Sequence, residues 1–243
     1  PLAPGDLTKV YPLSSGSDAV EAALKLARQY WFELGRPLKQ RIVALMPSYH
    51  GNTLLALSVS AREHYKTQYS GWLVDVIRVP AYDAAALERA ILANGPDTIA
   101  AFIAEPVGGS SSGALVPLAG YLRRVRDICT RHEVLFVADE ILVGAGRTGT
   151  WSALEPEQVV PDLQVLGKGI AAGFAPLAAV LAPSRIVDAF ERGSGAFNHA
   201  QTFSHHAVSC AAGTATLRYL RQHKLIDRCA RLGATLHARL GDL

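Results

Sequence analysis

A lysine flanked by two glycines is the residue of this sequence best suited to covalent chemistry. Lys168 stands in the segment Leu166-Gly167-Lys168-Gly169-Ile170, directly after a short apolar run. Glycines let a backbone approach a bulky ligand closely, and burial lowers the pKa of a lysine amine, which makes it nucleophilic. Taken alone, the segment is explained better by a lysine on a flexible surface loop. A buried lysine that forms a Schiff base with a carbonyl compound is the alternative interpretation.

An aspartate at the end of an apolar run is the second candidate. Asp139 directly follows residues 134–138, which read Val-Leu-Phe-Val-Ala. An unpaired buried carboxylate is costly, so this side chain needs a partner. A protonated ring nitrogen of a cofactor would serve, and so would the following turn or the guanidinium of Arg147. These three alternatives stay open on the sequence alone.

Two other segments are suited to binding the remaining parts of a ligand. Gly16 and Ser17, in a run of small residues, immediately precede the first long predicted helix. Free backbone N–H groups and the helix dipole favour an anion such as phosphate there, although an ordinary serine N-cap explains the same residues. Tyr49 and His50 follow a predicted strand. An aromatic ring at that point either stacks on a cofactor or packs in the core.

Composition and charge exclude several classes of protein. The formal charge is only +3 over 243 residues, with basic and acidic side chains interspersed, which argues against a nucleic-acid surface. No apolar stretch approaches the roughly 20 residues that a membrane helix needs. The cysteines lack metal-site spacing, and adjacent His205 and His206 have no further ligand nearby. We therefore expect a cytoplasmic protein without metal, nucleic-acid or membrane binding.

The elements that position these residues alternate along the chain. Helical spacing of apolar residues predicts helices over residues 17–34, 84–93, 121–132, 207–222 and 226–240. Short apolar runs predict strands over residues 41–46, 73–79, 98–104, 134–138, 163–166 and 177–181. This order indicates an α/β fold with a mainly parallel sheet sandwiched by helices. Ligands of such folds bind at the carboxyl ends of the strands, where Glu105, Asp139 and Lys168 lie.

The order and spacing of the segments resemble one family. Residues 14–23, SSGSDAVEAA, are similar to the S-G-S/T-E-A-x-E-A-A segment of class-III aminotransferases, which are fold-type-I enzymes dependent on pyridoxal 5'-phosphate (PLP). The other matches follow in the family's order: SYHGNT at 48–53, AEPV at 104–107, DEILVGAGRTG at 139–149, PDL at 161–163, GKG at 167–169, APL at 175–177, QTFS at 201–204 and CAA at 210–212. The resemblance extends from residue 12 to about residue 217.

The resemblance implies an aminotransferase and a role for each catalytic residue. Lys168 would hold PLP as a Schiff base and, once freed by the substrate amine, act as the general base. Asp139 would keep the pyridine nitrogen protonated, and Glu105 would join the hydrogen-bond network of the active site. The substrates would be an amino donor and a 2-oxo acid acceptor.

The same resemblance assigns residues to the cofactor. Ile141 and Tyr49 would pack against opposite faces of the ring, with His50 beside Tyr49. The phosphate would lie on Gly16 and Ser17. Thr202 would reach the phosphate of the neighbouring subunit's cofactor, so a homodimer with shared active sites is expected.

Some features depart from the family or leave its reaction open. Residues 108–113 contain no acid where many members with ω-amino substrates carry one, so the donor and acceptor are undetermined. An aminomutase, an amino-acid racemase or a truncated, inactive PLP-binding fragment would fit the same motifs. Residues 1–243 correspond to the large domain, with the start of the small domain at about 218–243. We expect the family's N-terminal segment and the rest of its C-terminal small domain to be absent from these 243 residues.

Overall fold

Seven strands of the described residues form a single sheet. A computed structural model describes residues 2–241 of the chain. The strands are β1 (Lys9–Leu13), β2 (Arg41–Met46), β3 (Ile77–Pro80), β4 (Ile99–Ala104), β5 (Leu135–Asp139), β6 (Leu163–Leu166) and β7 (Ala178–Ala182). Their order across the sheet is β1-β7-β6-β5-β4-β2-β3. The strands β3, β2, β4, β5 and β6 are parallel to their neighbours in this row. Strand β7 is antiparallel to both of its neighbours, β6 and β1. The prediction of a mainly parallel sheet is confirmed.

Helices cover both faces of this sheet. They are α1 (Gly16–Glu33), α2 (Leu54–Val59), α3 (Ala84–Asn94), α4 (Tyr121–Arg131), α5 (Ser184–Arg192), α6 (Ala207–Gln222) and α7 (Leu225–Gly241). One core cluster joins α1, α2 and α5 to the face that carries Ile103 and Val137. A second joins α3 and α4 to the face that carries Phe102 and Phe136. Every residue of β4 and β5 is buried, as expected for strands enclosed by helices on both sides.

Several element boundaries differ from the sequence prediction. The strand expected over residues 73–79 begins only at Ile77, because residues 73–76 are irregular and follow a 3-10 helix, Thr67–Trp72. The sequence pattern also missed β1 and the short helices α2 and α5. Among the described residues, no helix is both long and apolar enough to span a bilayer.

The amino end of α1 begins earlier than predicted. Ser15 is the N-cap, and its hydroxyl accepts from the N–H of Asp18 at 3.2 Å. Glu21, in the second turn of α1, contacts α2 and the residue before it. Its carboxylate accepts from the hydroxyl of Thr53 at 2.7 Å and from the N–H of Leu55 at 3.1 Å. Glu21 thereby fastens α2 against α1 beside the cavity described below.

Candidate active site

A cavity at the carboxyl ends of the parallel strands brings the candidate residues together. Its volume is about 340 Å³. Eight of the nine residues singled out in the sequence lie in its wall; only Thr202 does not. The lining residues are Ser15, Gly16, Ser17, Tyr49, His50, Gly51, Glu105, Ser110, Asp139, Ile141, Leu142 and Lys168. A larger cavity of about 650 Å³, between β7 and α6, has no charged side chain among its lining residues and offers no comparable chemistry.

Asp139 is paired with a histidine at the bottom of the cavity. Its Oδ2 lies 2.7 Å from His50 Nδ1, and its Oδ1 accepts from the N–H of Ile141 at 3.1 Å. The exposed fraction is 4% for the Asp139 side chain and 0% for that of His50. The sequence allowed three partners for Asp139, and one of them, the turn that follows it, contacts its carboxylate through the N–H of Ile141. The ion pair with Arg147 does not form, because this arginine is exposed and makes no salt bridge within residues 2–241.

Glu105 connects two loops that form one side of the cavity. Its Oε2 accepts from the N–H of Tyr49 at 3.1 Å, and its Oε1 accepts from the N–H of Gly109 at 2.9 Å. Burial raises the pKa of the Glu105 carboxyl above its ordinary value, and the nearby charge of Asp139 adds to this effect, while His50 and the two N–H donors oppose it. The residue thus fixes the position of Tyr49 relative to the loop that follows β4.

The amino end of α1 forms the opposite wall. The N–H groups of Gly16 and Ser17 precede the first hydrogen bond of the helix, which runs from Ala19 N to Ser15 O at 3.0 Å, so the helix itself does not use them. The Ser17 hydroxyl accepts from the N–H of Asn52 at 3.0 Å. These groups form a concentration of donors suited to an anion.

Ile141 is enclosed by two glycines. A Cβ atom on Gly16 would lie 2.9 Å from Ile141 Cδ1, and one on Gly167 would lie 3.2 Å from Ile141 Cγ2. Side chains at these positions would displace the isoleucine. The close approach keeps Ile141 in the cavity wall and brings the segment that carries Lys168 next to α1.

Lys168 lines the open side of the cavity and is exposed. Among the described residues its side chain is therefore not buried, unlike the buried lysine that the sequence allowed as one interpretation. Its amine forms no hydrogen bond or salt bridge within residues 2–241. Its backbone is in the left-handed region, with φ of +41°, which is uncommon for a residue with a side chain.

Thr202 lies apart from the cavity of its own chain and is exposed. The segment around it is attached to β1 through Tyr11, whose hydroxyl donates to His199 O at 3.0 Å and lies 3.2 Å from Ser204 Oγ. Thr202 therefore projects from an anchored segment without contributing to the site that the other residues form.

Five residues of the site were not singled out in the sequence. Four of them line the cavity: Ser15 and Gly51 adjoin residues that were singled out, and Ser110 and Leu142 follow the ends of β4 and β5. The fifth is Ser60, whose Oγ accepts from the N–H of His50 at 2.8 Å. No feature of the sequence pointed to it, because it follows α2, an element that the pattern missed.

Comparison with other sequences identifies relatives of the chain. The profile of the family described as aminotransferase class-III matches residues 1–243. An uncharacterized aminotransferase, YodT, of Bacillus subtilis (strain 168) is 37% identical over 258 residues, covering 98% of this chain and 57% of the relative. Ornithine aminotransferase 1 of Staphylococcus aureus (strain COL) is 40% identical over 230 residues, covering 94% and 56%. The chain thus spans about half the length of these curated relatives.

Solved structures of transaminases also resemble the chain. An amine transaminase from an uncultivated Pseudomonas species, solved in a PLP-bound form, has a TM-score of 0.90 and 38% identity, covering 94% of this chain and 56% of that one. An (S)-enantioselective omega-transaminase from Thermomicrobium roseum has a TM-score of 0.94 and 31% identity, covering 100% and 58%. The fold is that of the fold-type-I transaminases. The chain belongs to the class-III aminotransferase family.

Proposed function

We propose that the protein transfers an amino group between an amine or amino acid and a 2-oxo acid, with PLP as its cofactor. The observation that carries this proposal is that the amine of Lys168, unpaired within residues 2–241, and the buried carboxylate of Asp139 line one cavity beside the amino end of α1. Membership of the class-III family and the PLP-bound relative support the same cofactor.

The residues of the cavity fit each part of PLP. A phosphate suits the N–H groups of Gly16 and Ser17 at the amino end of α1. A pyridine nitrogen suits Asp139, because a buried carboxylate stabilises a proton on a basic ring atom. The volume of about 340 Å³ lies in the range of small-molecule sites, which begins at about 300 Å³. Ile141 and Tyr49 supply the side chains that would cover the faces of the ring.

Proton movement at the substrate is the task of Lys168. When bound, PLP supplies an aldehyde that combines with amines and a ring that takes up electrons. Lys168 would hold this group through its amine. When not so engaged, the amine of Lys168 would accept the proton from the substrate carbon next to the nitrogen and later return one.

The other residues orient and shield the reacting groups. Asp139 holds the proton on the ring nitrogen, and His50 fixes the orientation of its carboxylate through the 2.7 Å contact. Glu105 keeps Tyr49 in place by accepting from its N–H at 3.1 Å. Tyr49 and Ile141 exclude water from the faces of the ring, which strengthens the electrostatic interaction with Asp139.

Reduction with borohydride tests the anchor directly. The protein loaded with PLP, then reduced and digested, should carry a cofactor-sized mass on the peptide containing Lys168. Label on another lysine, or none on folded protein supplied with PLP, would contradict the assignment. An assay with pyruvate or 2-oxoglutarate as acceptor then separates amino transfer from racemisation or mutase chemistry, which need no acceptor.

We further propose that the protein is a homodimer in which Thr202 completes the partner's site. Support comes from the exposure of Thr202 outside its own cavity, on a segment anchored by Tyr11. A two-fold interface is self-complementary, so each chain would supply one Thr202 to the other.

We propose a cytoplasmic location because the three cysteines form no disulfide. Cys129, Cys210 and Cys229 are all free, and burial raises the pKa of the Cys129 thiol to about 12. Free thiols of this kind are typical of proteins in a reducing compartment.

A further inference from the structure

The histidine beside Asp139 is itself held by a serine that lies outside the cavity. The side chain of His50 is buried, and its Nδ1 lies 2.7 Å from Asp139 Oδ2. The backbone N–H of the same residue donates to Ser60 Oγ at 2.8 Å. Ser60 is 0% exposed and follows the last residue of α2. Through His50, this hydroxyl is therefore connected to the carboxylate that we propose for the ring nitrogen of PLP.

The hydroxyl of Ser60 is oriented by its own helix. Ser60 Oγ donates to Ala56 O at 2.8 Å, one turn earlier, and lies 3.3 Å from Gly51 O. A hydroxyl has a single proton, and these two carbonyl oxygens are its acceptors. The lone pairs of the hydroxyl are left for the N–H of His50. Ser60 therefore acts toward His50 as an acceptor only.

An arginine from the edge strand of the sheet fixes the backbone at Ser60. The guanidinium of Arg78, in β3, donates to the carbonyl oxygens of Ser58, Val59 and Ser60, the last at 2.8 Å. The last carbonyls of a helix have no partner within it, and a cation is favourable at that end. The carboxyl end of α2 is thereby held against β3, so the acceptor for His50 has a fixed position.

The peptide segment that carries Tyr49 and His50 is held at two consecutive N–H groups. Glu105 accepts from the first at 3.1 Å, and Ser60 accepts from the second at 2.8 Å. The Nε2 of His50 is buried without a hydrogen-bond partner among residues 2–241, so a proton there would be a buried donor without an acceptor. The proton of the neutral ring is therefore on Nδ1, from which it is donated to Asp139.

We infer that Ser60 is a positioning residue, whose hydroxyl keeps the Nδ1 proton of His50 directed at Asp139. Without this hydroxyl, the buried N–H of His50 loses its acceptor, and the backbone moves toward another one. The ring then turns away from the carboxylate, which loses the hydrogen bond that orients it. The inference rests on the proposed function, because the orientation of Asp139 matters to a ring nitrogen of PLP.

A second serine at the same end of α2 provides a matched control. Ser58 is 2% exposed, and its hydroxyl donates to Leu54 O, one turn earlier, at 2.7 Å. The hydroxyl also accepts one backbone N–H, that of Val74, at 3.0 Å. Ser58→Ala and Ser60→Ala thus remove the same kinds of hydrogen bond and should lower stability to a similar extent. Only Ser60→Ala should change the surroundings of His50.

Two measurements separate positioning from stability. Nitrogen-15 NMR of the His50 ring, assigned with His50→Gln and recorded before and after addition of PLP, reports which nitrogen carries the proton. Ser60→Ala should move these signals toward those of an exposed histidine, in which the proton is shared between both nitrogens, and Ser58→Ala should leave them unchanged. In a PLP titration, Ser60→Ala should raise the Kd by about tenfold and Ser58→Ala by less than about twofold.

The possible outcomes are distinct. Unchanged His50 signals in Ser60→Ala, or equal weakening of PLP binding by Ser60→Ala and Ser58→Ala, would overturn the inference. If Ser60→Ala does not fold, Ser60→Cys takes its place, because sulfur is a weak acceptor of similar position and should cause the same changes. If the wild-type protein binds no PLP, the proposed function fails, and the His50 signals recorded without cofactor still decide whether Ser60 positions the ring.

Discussion

The contact between Asp139 and His50 determines how the buried carboxylate can act. Both carboxylate oxygens have a partner, one in His50 Nδ1 at 2.7 Å and the other in the N–H of Ile141 at 3.1 Å. The carboxylate therefore cannot rotate without losing a hydrogen bond, at a position where its side chain is only 4% exposed. Its orientation is set before any ligand arrives, as expected for a group that must meet one atom of a cofactor.

Replacement of Asp139 by asparagine separates charge from shape. Asp139→Asn keeps the size of the side chain and removes the negative charge, so we expect the variant to retain bound PLP but to lose amino transfer by about a hundredfold or more. The checks are the absorbance of the bound cofactor and the rate with a saturating donor. A variant that binds PLP and turns over at the wild-type rate would show that Asp139 does not stabilise a charge on the ring.

At the scale of the elements, the turn after β2 and the amino end of α1 depend on each other. Gly51, in this turn, has φ of +129°, and a Cβ atom there would lie 2.4 Å from Ser17 Oγ. The close approach lets the N–H of Asn52 donate to the same hydroxyl at 3.0 Å. Only glycine satisfies both the backbone conformation and the space at this point.

Alanine at position 51 should damage both elements. We expect Gly51→Ala to lower the free energy of unfolding by about 1–3 kcal/mol and to weaken PLP binding, because it displaces Ser17 from the anion site. Chemical denaturation and cofactor titration measure the two effects. Gly71→Ala is the matched control, since Gly71 has no atom within 4 Å of its added Cβ and lacks a positive φ. Equal stability of the two variants would show that the fold does not require glycine at position 51.

A buried lysine joins elements at the other end of the sheet. Lys39 is 0% exposed, and its amine donates to the carbonyl oxygens of Pro96 at 2.9 Å, Ile99 at 3.1 Å and Glu133 at 2.7 Å. These carbonyls precede or begin β4 and β5. Lys39 therefore secures the amino ends of the two central strands whose carboxyl ends carry Glu105 and Asp139.

Removal of this amine should destabilise the protein in a pH-dependent way. Lys39→Met removes the hydrogen bonds that the amine gives to three carbonyls and should cost about 2–5 kcal/mol, whereas Lys9→Met, at an exposed position, should cost little. Burial lowers the pKa of Lys39 to about 8 from 10.5. The folded protein then binds fewer protons than the unfolded chain between pH 8 and 10.5, so wild-type stability should rise relative to Lys39→Met across this range. Denaturation at several pH values measures the difference, and a constant difference would contradict the assigned pKa.

At the scale of the whole molecule, one face of α7 has the exposed apolar side chains that are typical of a surface in contact with another protein segment. Helix α7 exposes Leu232, Leu236 and Leu240 by 55–60% on one face. Exposed apolar rows of this kind usually mark contact surfaces. The assignment of about residues 218–243 to the start of a small domain stays a prediction, as does the homodimer.

The dimer proposal makes the cofactor site dependent on assembly. PLP affinity should fall as the protein is diluted, and Thr202→Ala should weaken it by about 1–3 kcal/mol, the value of a hydrogen bond to a charged group. Thr130→Ala, on the exposed face of α4, is the control. Sedimentation and PLP titration over a range of protein concentrations provide the measurements. A monomer that binds PLP at full strength would refute the proposal.

Sequence alone determined the class of the fold and most of the residues in the cavity. Continuous apolar runs such as residues 99–104 predict buried parallel strands regardless of what surrounds them, because only strands covered on both faces tolerate such runs. The polar residues after them, Glu105 and Asp139, then had to meet at one edge of the sheet. Local patterns are sufficient for these conclusions because each depends on a short stretch of chain.

Only the tertiary structure decided which partners the site residues find. The pairing of Asp139 with His50 joins residues 89 positions apart, and the approach of Arg62 to Ser110 joins residues 48 positions apart. The exposure of Lys168 likewise depends on which segments pack around it, which its flanking glycines do not determine. Residue spacing cannot determine such contacts, because they arise from the packing of loops whose lengths and turns carry no periodic signal.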